Sequence, residues 1–258
     1  MRFVSSCIKR SCNLKDRKVY GVIMQKMEKL YEGKAKMVFA TDDPNLCIVS
    51  YKDDATAFNG LKKGTIRGKG VVNNKMSNYL MSCLEKAGVP THFVKELSDR
   101  DTLVKKVKIV PLEVIVRNTA AGSFSKRFGV EEGTKLLIPT LEYCYKNDDL
   151  GDPMVNDYHI LACGWATKEE LDTIADYTFK INSFLLDFFK KINIDLIDFK
   201  IEFGKTADGT IILADEISPD TCRFWDSTTH EKLDKDRFRR DLGGVEEAYA
   251  EMMKRIFG

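Results

Sequence analysis

Residues 197–225, IDFKIEFGKTADGTIILADEISPDTCRFW, constrain this chain more than any other stretch. Phe199, Ile201 and Phe203 alternate with Lys200 and Glu202. A period of two marks a strand with one apolar and one polar face. Asp208-Gly209 is a strong signal for a two-residue hairpin turn. Centring the turn there pairs Ala207 with Thr210 and, counting outward, Glu202 with Asp215. Opposed Cβ atoms lie about 5 Å apart, so two carboxylates in that register repel. A bridging cation relieves the repulsion, as does protonation of one acid; a one-residue bulge would separate the two. Paired hard oxygen ligands suit Mg²⁺ carrying nucleotide phosphates, and the plain alternative is two solvated strand acids. Lys200 shares a face with Glu202, and Arg223 follows the hairpin. Cations beside paired carboxylates are what a site handling phosphates and acids requires.

The chain has 258 residues, 43% of them hydrophobic, enough for a large core and near the size at which one core divides. Lys+Arg 41 against Asp+Glu 39 gives a net charge of +2, which offers no global basic field for nucleic acid. The seven cysteines are scattered, odd in number and without a CxxC pair. That is no disulfide framework, and it points to the cytoplasm. Three widely spaced histidines argue against a histidine-based zinc site. No apolar run reaches the length of a membrane span. Residues 1–23 are basic, hold one acid (Asp16), and lack the apolar core of a secretory signal. They read as an extension.

Strands are expected at 30–39 and 46–49 around the turn Asp42-Asp43-Pro44-Asn45. A Gly/Lys-rich loop, 59–70, leads into a helix marked by Val72, Met76, Leu80 and Leu84, with Gly88 just past its end. Further strands fall at 91–94, 102–106 and 112–116. Ser123 is expected to N-cap a short helix ending at Gly129, and 140–153 reads as loop with short elements. Thr167-Lys168-Glu169-Glu170 is a capping box opening a long helix. The last helix starts near Gly244 and carries Tyr249 and Met252. This order is not a βαβ alternation. It fits an α+β protein with a cleft between two lobes, divided near 106–110.

There is no GxxxxGK[ST] and no GxGxxG. Lys34 and Lys36 in Gly33-Lys34-Ala35-Lys36 are two apart, so on a strand both face one way, and an anion between them relieves their repulsion. The alternative is a pair of solvated edge lysines. In 111–123, Glu113 and Arg117 share a face opposite Leu112, Val114 and Val116. Small residues then open a helix at Ser123, whose free N–H groups suit an anion. Arg117 is placed to clamp a carboxylate or phosphate, or else simply pairs with Glu113. The run 235–241, KDRFRRD, is unspecific by itself. His159 reads as structural, and no Ser-His-Asp or Cys-His arrangement is supported. A metal pair with anion clamps and no nucleophile suits phosphoryl transfer. The absence of HRD and DFG segments argues against a kinase.

The segments YEGKAK (31–36), VPLEVIVRNTAAGS (110–123), LIDFKIEFG (196–204), LADEISPDTCRFWD (213–226) and KDRFRRDLGG (235–244), in this order, resemble the SAICAR synthetase family of purine biosynthesis. The resemblance runs from about residue 24 to 258, with Ile201 standing where leucine or methionine is usual. It implies a two-lobed, ATP-grasp-like α+β fold with the nucleotide cleft between lobes 24–108 and 109–258, and no catalytic role for 1–23. It implies an ATP-dependent carbon–nitrogen ligase. The carboxylate of carboxyaminoimidazole ribonucleotide (CAIR) joins the amine of L-aspartate through an acyl phosphate, giving SAICAR, ADP and phosphate. Carried onto this chain, Lys34 and Lys36 hold ATP phosphates and Glu113 faces the nucleotide. Glu202 and Asp215 take Mg²⁺. Lys200 and Arg223 act at the reacting centre, and Arg117, Ser123, Asp198, Asp220 and Arg239 bind substrate. The expected partners are small molecules and a second copy of the chain, with no nucleic acid or membrane. Because an acyl phosphate must be kept from water, the loop 59–70 is expected to close over the site.

Overall fold

The structure, a computed structural model, describes residues 25–57 and 60–258. The expected extension, 1–23, and Asn59 at the start of the expected closing loop lie outside the described residues.

The first part of the chain runs β1 (Lys29–Glu32), β2 (Lys36–Ala40), β3 (Leu46–Tyr51), β4 (Asp54–Ala57), β5 (Lys62–Thr65), α1 (Lys69–Lys86), β6 (Phe93–Glu96) and β7 (Asp101–Lys105). Five of these strands form an antiparallel sheet in the order β1-β2-β3-β7-β6, and β4 and β5 pair separately. The second part runs β8 (Lys108–Ile109), β9 (Leu112–Thr119), α2 (Gly122–Phe128), β10 (Lys135–Tyr145), β11 (Met154–Val155), α3 (Asp157–Ala162) and α4 (Lys168–Lys190). It closes with β12 (Ile194–Lys205), β13 (Ile211–Ala214), β14 (Cys222–Asp226), α5 (Asp236–Arg239) and α6 (Val245–Phe257). Its seven-stranded sheet has the order β11-β10-β9-β12-β13, with β8 and β14 also paired to β12. The expected α+β architecture is therefore observed, with β12 at its centre.

The main core lies on one face of the larger sheet. Val114 and Val116 of β9 meet Phe199, Ile201 and Phe203 of β12 and Ile174, Ile181 and Leu185 of α4. Each such side chain contributes roughly 1.5–3 kcal/mol by leaving water. Helix α1 joins this core through Met76, Leu80 and Leu84, although it precedes the larger sheet in sequence. The smaller sheet keeps its own cluster of Cys47, Val49, Tyr51 and Val104. The connector between the sheets lies tightly on β12: a Cβ at Gly204 would overlap the Val107 side chain.

Four local expectations are corrected. The 140–153 segment is not mainly loop, because β10 extends over Lys135–Tyr145. Its ladder with β9 breaks register between Lys135 and Thr140, around Pro139, which has no N–H to give. The 59–70 loop contains β5, and α1 begins at Lys69. The Asp53 carboxylate accepts the N–H groups of Gly68 and Gly70 at 3.2 and 2.9 Å, so the helix start is capped from a distant residue. Ser123 is the second residue of α2 rather than its cap; Ala121 holds the cap position. The hairpin turn spans three residues, not two. Gly209 N–H donates to the Thr206 carbonyl at 2.9 Å and Thr206 N–H to the Thr210 carbonyl at 3.0 Å, with Gly209 at φ 87. A turn followed by a left-handed glycine bulge is the usual three-residue hairpin loop. The extra residue shifts the register by one, so Glu202 faces Ala214.

Candidate active site

A cleft of about 1130 Å³ lies between the two sheets, and all twelve site residues expected from the sequence line it. Its floor is β12 beside β9. Asp198, Lys200 and Glu202 face the cleft while Phe199, Ile201 and Phe203 enter the core, as strand alternation requires. Asp198 lies opposite Arg117, and Lys200 opposite Ile115. Val38, Cys47, Val49, Val104 and Ile109 supply an apolar wall.

Glu202 and Asp215 share the cleft, but not by opposing each other across a ladder. With the register shifted, continued extension would turn Asp215 to the far face. Asp215 instead adopts φ 59, the left-handed region, at a cost of roughly 1–2 kcal/mol. Burial and then the Asp215 charge push Glu202 up to about 7, with Lys146 and Lys36 opposing. Burial works to raise Asp215 too, but Lys36, Lys146 and Lys200 hold it below the usual carboxylate range. Lys36 donates to Asp215 and Lys146 to Glu202. Glu216 follows, its Oε2 buried with no hydrogen-bond partner among the described residues and 3.8 Å from Lys36 Nζ.

This set fits a cation that arrives with its own ligands. Among the described residues, no group of three or more His, Cys, Asp and Glu converges into a self-sufficient metal cage. Mg²⁺ commonly takes one or two carboxylates, with phosphates and water completing its octahedron. Two crowded carboxylates, one of them driven toward protonation, supply that need.

Lys34 and Lys36 do not lie on one strand face. Gly33 N–H donates to the Lys36 carbonyl at 2.9 Å, so Lys34 occupies the tip of the β1–β2 turn. It reaches across the cleft to Asp148 at 2.8 Å, while Lys36 reaches Asp215. Glu113 pairs with Lys200 rather than with Arg117. Burial works against the Lys200 charge, yet Glu113, then Glu202 and Asp215, hold its pKa above the usual lysine value.

At the other end of the cleft, arginines dominate. Arg117 is only 3% exposed. Its Nε donates to Glu142 Oε1 at 2.7 Å, its Nη1 to Asp198 Oδ2 at 2.9 Å, and its Nη2 to Ser123 Oγ at 3.0 Å and Glu142 Oε2 at 3.1 Å. Arg223 Nη1 donates to both Asp198 oxygens at 3.0 and 2.8 Å, and its Nε to Asp236 at 2.8 Å. Arg239 Nη1 donates to Asp236 at 2.7 Å. Asp220 accepts from Lys69, Lys235 and Tyr249.

Lys146, Glu142, Asp236, Lys69 and Lys235 were not singled out from the sequence. Glu142 and Lys146 escaped because β10 read as loop, and Asp236 because KDRFRRD resembles a solvated charge run. A fully buried Lys69 in a Gly/Lys-rich segment leaves no sequence signal. His159 is structural, as expected: it and Asn156 form the capping box of α3.

The family described as SAICAR synthetase matches residues 29–256. The chain belongs to the SAICAR synthetase family. It is 66% identical over 233 residues to the phosphoribosylaminoimidazole-succinocarboxamide synthase of Lachnoclostridium phytofermentans, covering 90% of this chain and 99% of that relative. The crystal structure of the Ehrlichia chaffeensis synthase superposes with TM-score 0.87 at 49% identity, over 89% of this chain and 98% of that one. A SAICAR synthetase (Type-2) in complex with ADP gives TM-score 0.86 at 48% identity, over 88% and 97%. The activity is that of the family, ATP-dependent ligation of CAIR to L-aspartate in purine biosynthesis. No helix among the described residues is long and apolar enough to cross a membrane.

Proposed function

We propose that Mg²⁺-ATP occupies the lysine-lined end of the cleft, and CAIR with L-aspartate the arginine-lined end. The observation that carries this reading is the position of Lys200. It sits on the cleft face of β12 between Glu202, at the metal end, and Asp198, held by Arg117 and Arg223. Alternate strand residues stand about 6–7 Å apart, so one ammonium serves the junction between the two substrates.

A carboxylate is a poor electrophile. In the proposed sequence a CAIR carboxylate oxygen bonds to the γ-phosphorus as the bond to ADP breaks. The aspartate nitrogen then bonds to the carbonyl carbon, the carbon–oxygen bond to phosphate breaks, and the amine releases a proton. Bound Mg²⁺ supplies charge neutralisation on the phosphates. Lys34 and Lys36 leave Asp148 and Asp215 to hold phosphate oxygens. Glu113 orients Lys200 toward the nucleotide, and Lys200 offsets charge on the transferring group. Arg117 fixes Asp198 and Ser123, while Arg223, Asp220 and Arg239 bound the space for CAIR and aspartate. Residues 24–108 serve as the nucleotide lobe and 109–258 as the substrate and metal lobe. The apolar wall of Val38, Val49, Val104 and Ile109 supports a nucleobase there.

The same proposal includes a cytoplasmic homodimer. Free buried Cys47, Cys144 and Cys222 suit a reducing compartment. Leu137 and Ile138, 103% and 75% exposed, offer apolar surface for a second copy. Sedimentation as a monomer removes the dimer.

The deciding experiment follows ¹⁸O from the CAIR carboxylate. Label in the released phosphate is expected, and unlabelled phosphate overturns the phosphorylation step. Sustained ADP release should require both CAIR and L-aspartate.

A further inference from the structure

Asp234 is fully buried, at 0% exposure. Its two oxygens are filled by backbone N–H groups rather than by a cation. Oδ2 accepts from Phe224 at 2.9 Å and Oδ1 from Asp236 at 2.7 Å. Those two residues frame Arg223. Phe224 is its neighbour on β14, and the Asp236 carboxylate takes Arg223 Nε at 2.8 Å. Leu233 N–H also donates to the Phe224 carbonyl at 2.8 Å, so both backbone groups of Phe224 are tied to the 233–234 segment. One carboxylate therefore sets the spacing between the strand that carries Arg223 and the turn that carries its partner.

The guanidinium has little room beyond that. Nη1 donates to both Asp198 oxygens, and Nη2 lies so close to Gly122 that a Cβ there would overlap it. Among side chains of this length, only a carboxylate offers one acceptor oxygen to each of two amides. It does so here at a cost, because burial of an acid is unfavourable. Burial and then Asp236 push Asp234 up to about 7, against the pull of the Asp236 amide, Arg223 and Arg239. Asp234 is not among the residues that line the cleft. Its influence on the chemistry must pass through the Arg223–Asp236 pair.

We propose that Asp234 is a positioning residue for the ligation: by clamping Phe224 and Asp236 it fixes where the Arg223 guanidinium stands in the cleft. The inference rests on the reading that Arg223 acts on CAIR or L-aspartate, and extends it to a residue that touches neither.

The test is a double-mutant cycle in the full-length chain, with Asp234→Asn, Arg223→Lys and the double variant. Values of kcat and KM are measured for each substrate with the other two saturating. Asp234→Asn turns its own NH2 group toward one of the two amides. It should lower kcat/KM for CAIR or L-aspartate by about tenfold, since a displacement near 1 Å can cost up to about 10²-fold. The KM of ATP should not move. The double variant should lie within about twofold of Arg223→Lys alone, because a residue that acts through Arg223 then has nothing left to position. A merely structural role would instead multiply the two losses. If Asp234→Asn does not fold, Asp234→Thr, with its single acceptor oxygen, takes its place in the cycle. Multiplied losses, wild-type kcat/KM in the Asp234 variant, an equal rise in the KM of ATP, or failure of both variants to fold overturns the proposal. Wild-type kcat/KM in Arg223→Lys would overturn the underlying reading of Arg223 as well.

Discussion

The two ends of the cleft hold their carboxylates in different ways. At the lysine-lined end each acid meets a lysine: Asp215 with Lys36, Glu202 with Lys146, Glu113 with Lys200 and Asp148 with Lys34. At the other end arginines bind acids through several donors each, as Arg117 does with Glu142 and Asp198 and Arg223 with Asp198 and Asp236. An ammonium is a point charge on a flexible stem, whereas a guanidinium fork fixes direction as well as distance. The side chains of Lys146 and Lys200 are 41% and 37% exposed, against 3% for Arg117, while Lys36 and Arg223 are alike at 18% and 17%. The lysine end thus holds its acids through single flexible contacts, and the arginine end through directional forks.

The largest expected effect falls at the lysine end. Glu202→Gln and Asp215→Asn should each lower turnover by about 10²–10³-fold, the scale of losing one preorganised electrostatic group. Glu202→Gln removes a charge that burial and Asp215 oppose, so thermal stability should hold, whereas Asp215→Asn deprives Lys36 of its partner and should lower it. Near-normal ADP release at limiting Mg²⁺ would break this half of the comparison. At the arginine end the effect should be on folding. Arg117→Lys leaves Glu142 and Asp198 underpaired while buried, and should cost about 3 kcal/mol in urea unfolding. Lys146→Ala removes a lysine whose side chain is 41% exposed and leaves a Glu202 already raised to about 7 free to take up a proton, and should cost less than about 1 kcal/mol. Equal losses would erase the distinction.

The β4–β5 hairpin sharpens the picture further. A Cβ at Gly64 would come within 2.9 Å of the Phe238 ring, and Lys62 Nζ reaches the Phe238 carbonyl at 2.6 Å. Gly64→Ala should cost about 1–2 kcal/mol through overpacking, with Phe238→Leu recovering part of it in the double variant. Hydrogen exchange over 60–70 should slow when ATP and CAIR are added; unchanged exchange removes closure of this segment over the cleft. A comparably small effect concerns Asp53. Its Arg100 pair, then the Gly70 and Gly68 amides, bring it down to about 2 against the pull of burial. Its folded pKa lies below the unfolded one, so its contribution is present above about pH 4 and lost as pH falls toward about 2. After screening this amounts to about 1 kcal/mol, and Asp53→Asn should flatten the acid limb of stability across that window.

Much of this site was legible because strands repeat every two residues. The alternation of Phe199, Ile201 and Phe203 with Lys200 and Glu202 placed two charges on one face. The same logic placed Glu113 and Arg117. Their partners were harder to read, since Arg117 finds Glu142 on a strand interrupted by Pro139. The pairing of Glu202 went wrong by one residue: Asp208-Gly209 does not reveal that Ala207 joins the turn. The backbone reversal at Asp215 then restored the neighbourhood by means no propensity encodes. Thr167 and Glu170, by contrast, cap α4 as their spacing foretold, because a capping box is settled within four residues. Burial of Lys69 and Tyr249 around Asp220 joins α1, α6 and the 215–221 loop, and arises only in the assembled fold.

Strand β12 leaves evolution and protein engineers little freedom. Its odd and even positions serve two masters, the hydrophobic interior and the chemistry. Insertion or deletion of one residue upstream of Asp198 within the strand would exchange their audiences, sending Asp198, Lys200 and Glu202 inward and presenting Phe199, Ile201 and Phe203 to the cleft. Length changes should therefore be confined to its ends, such as the 206–210 turn. Within the strand, substitution is the one route by which the chemistry can drift.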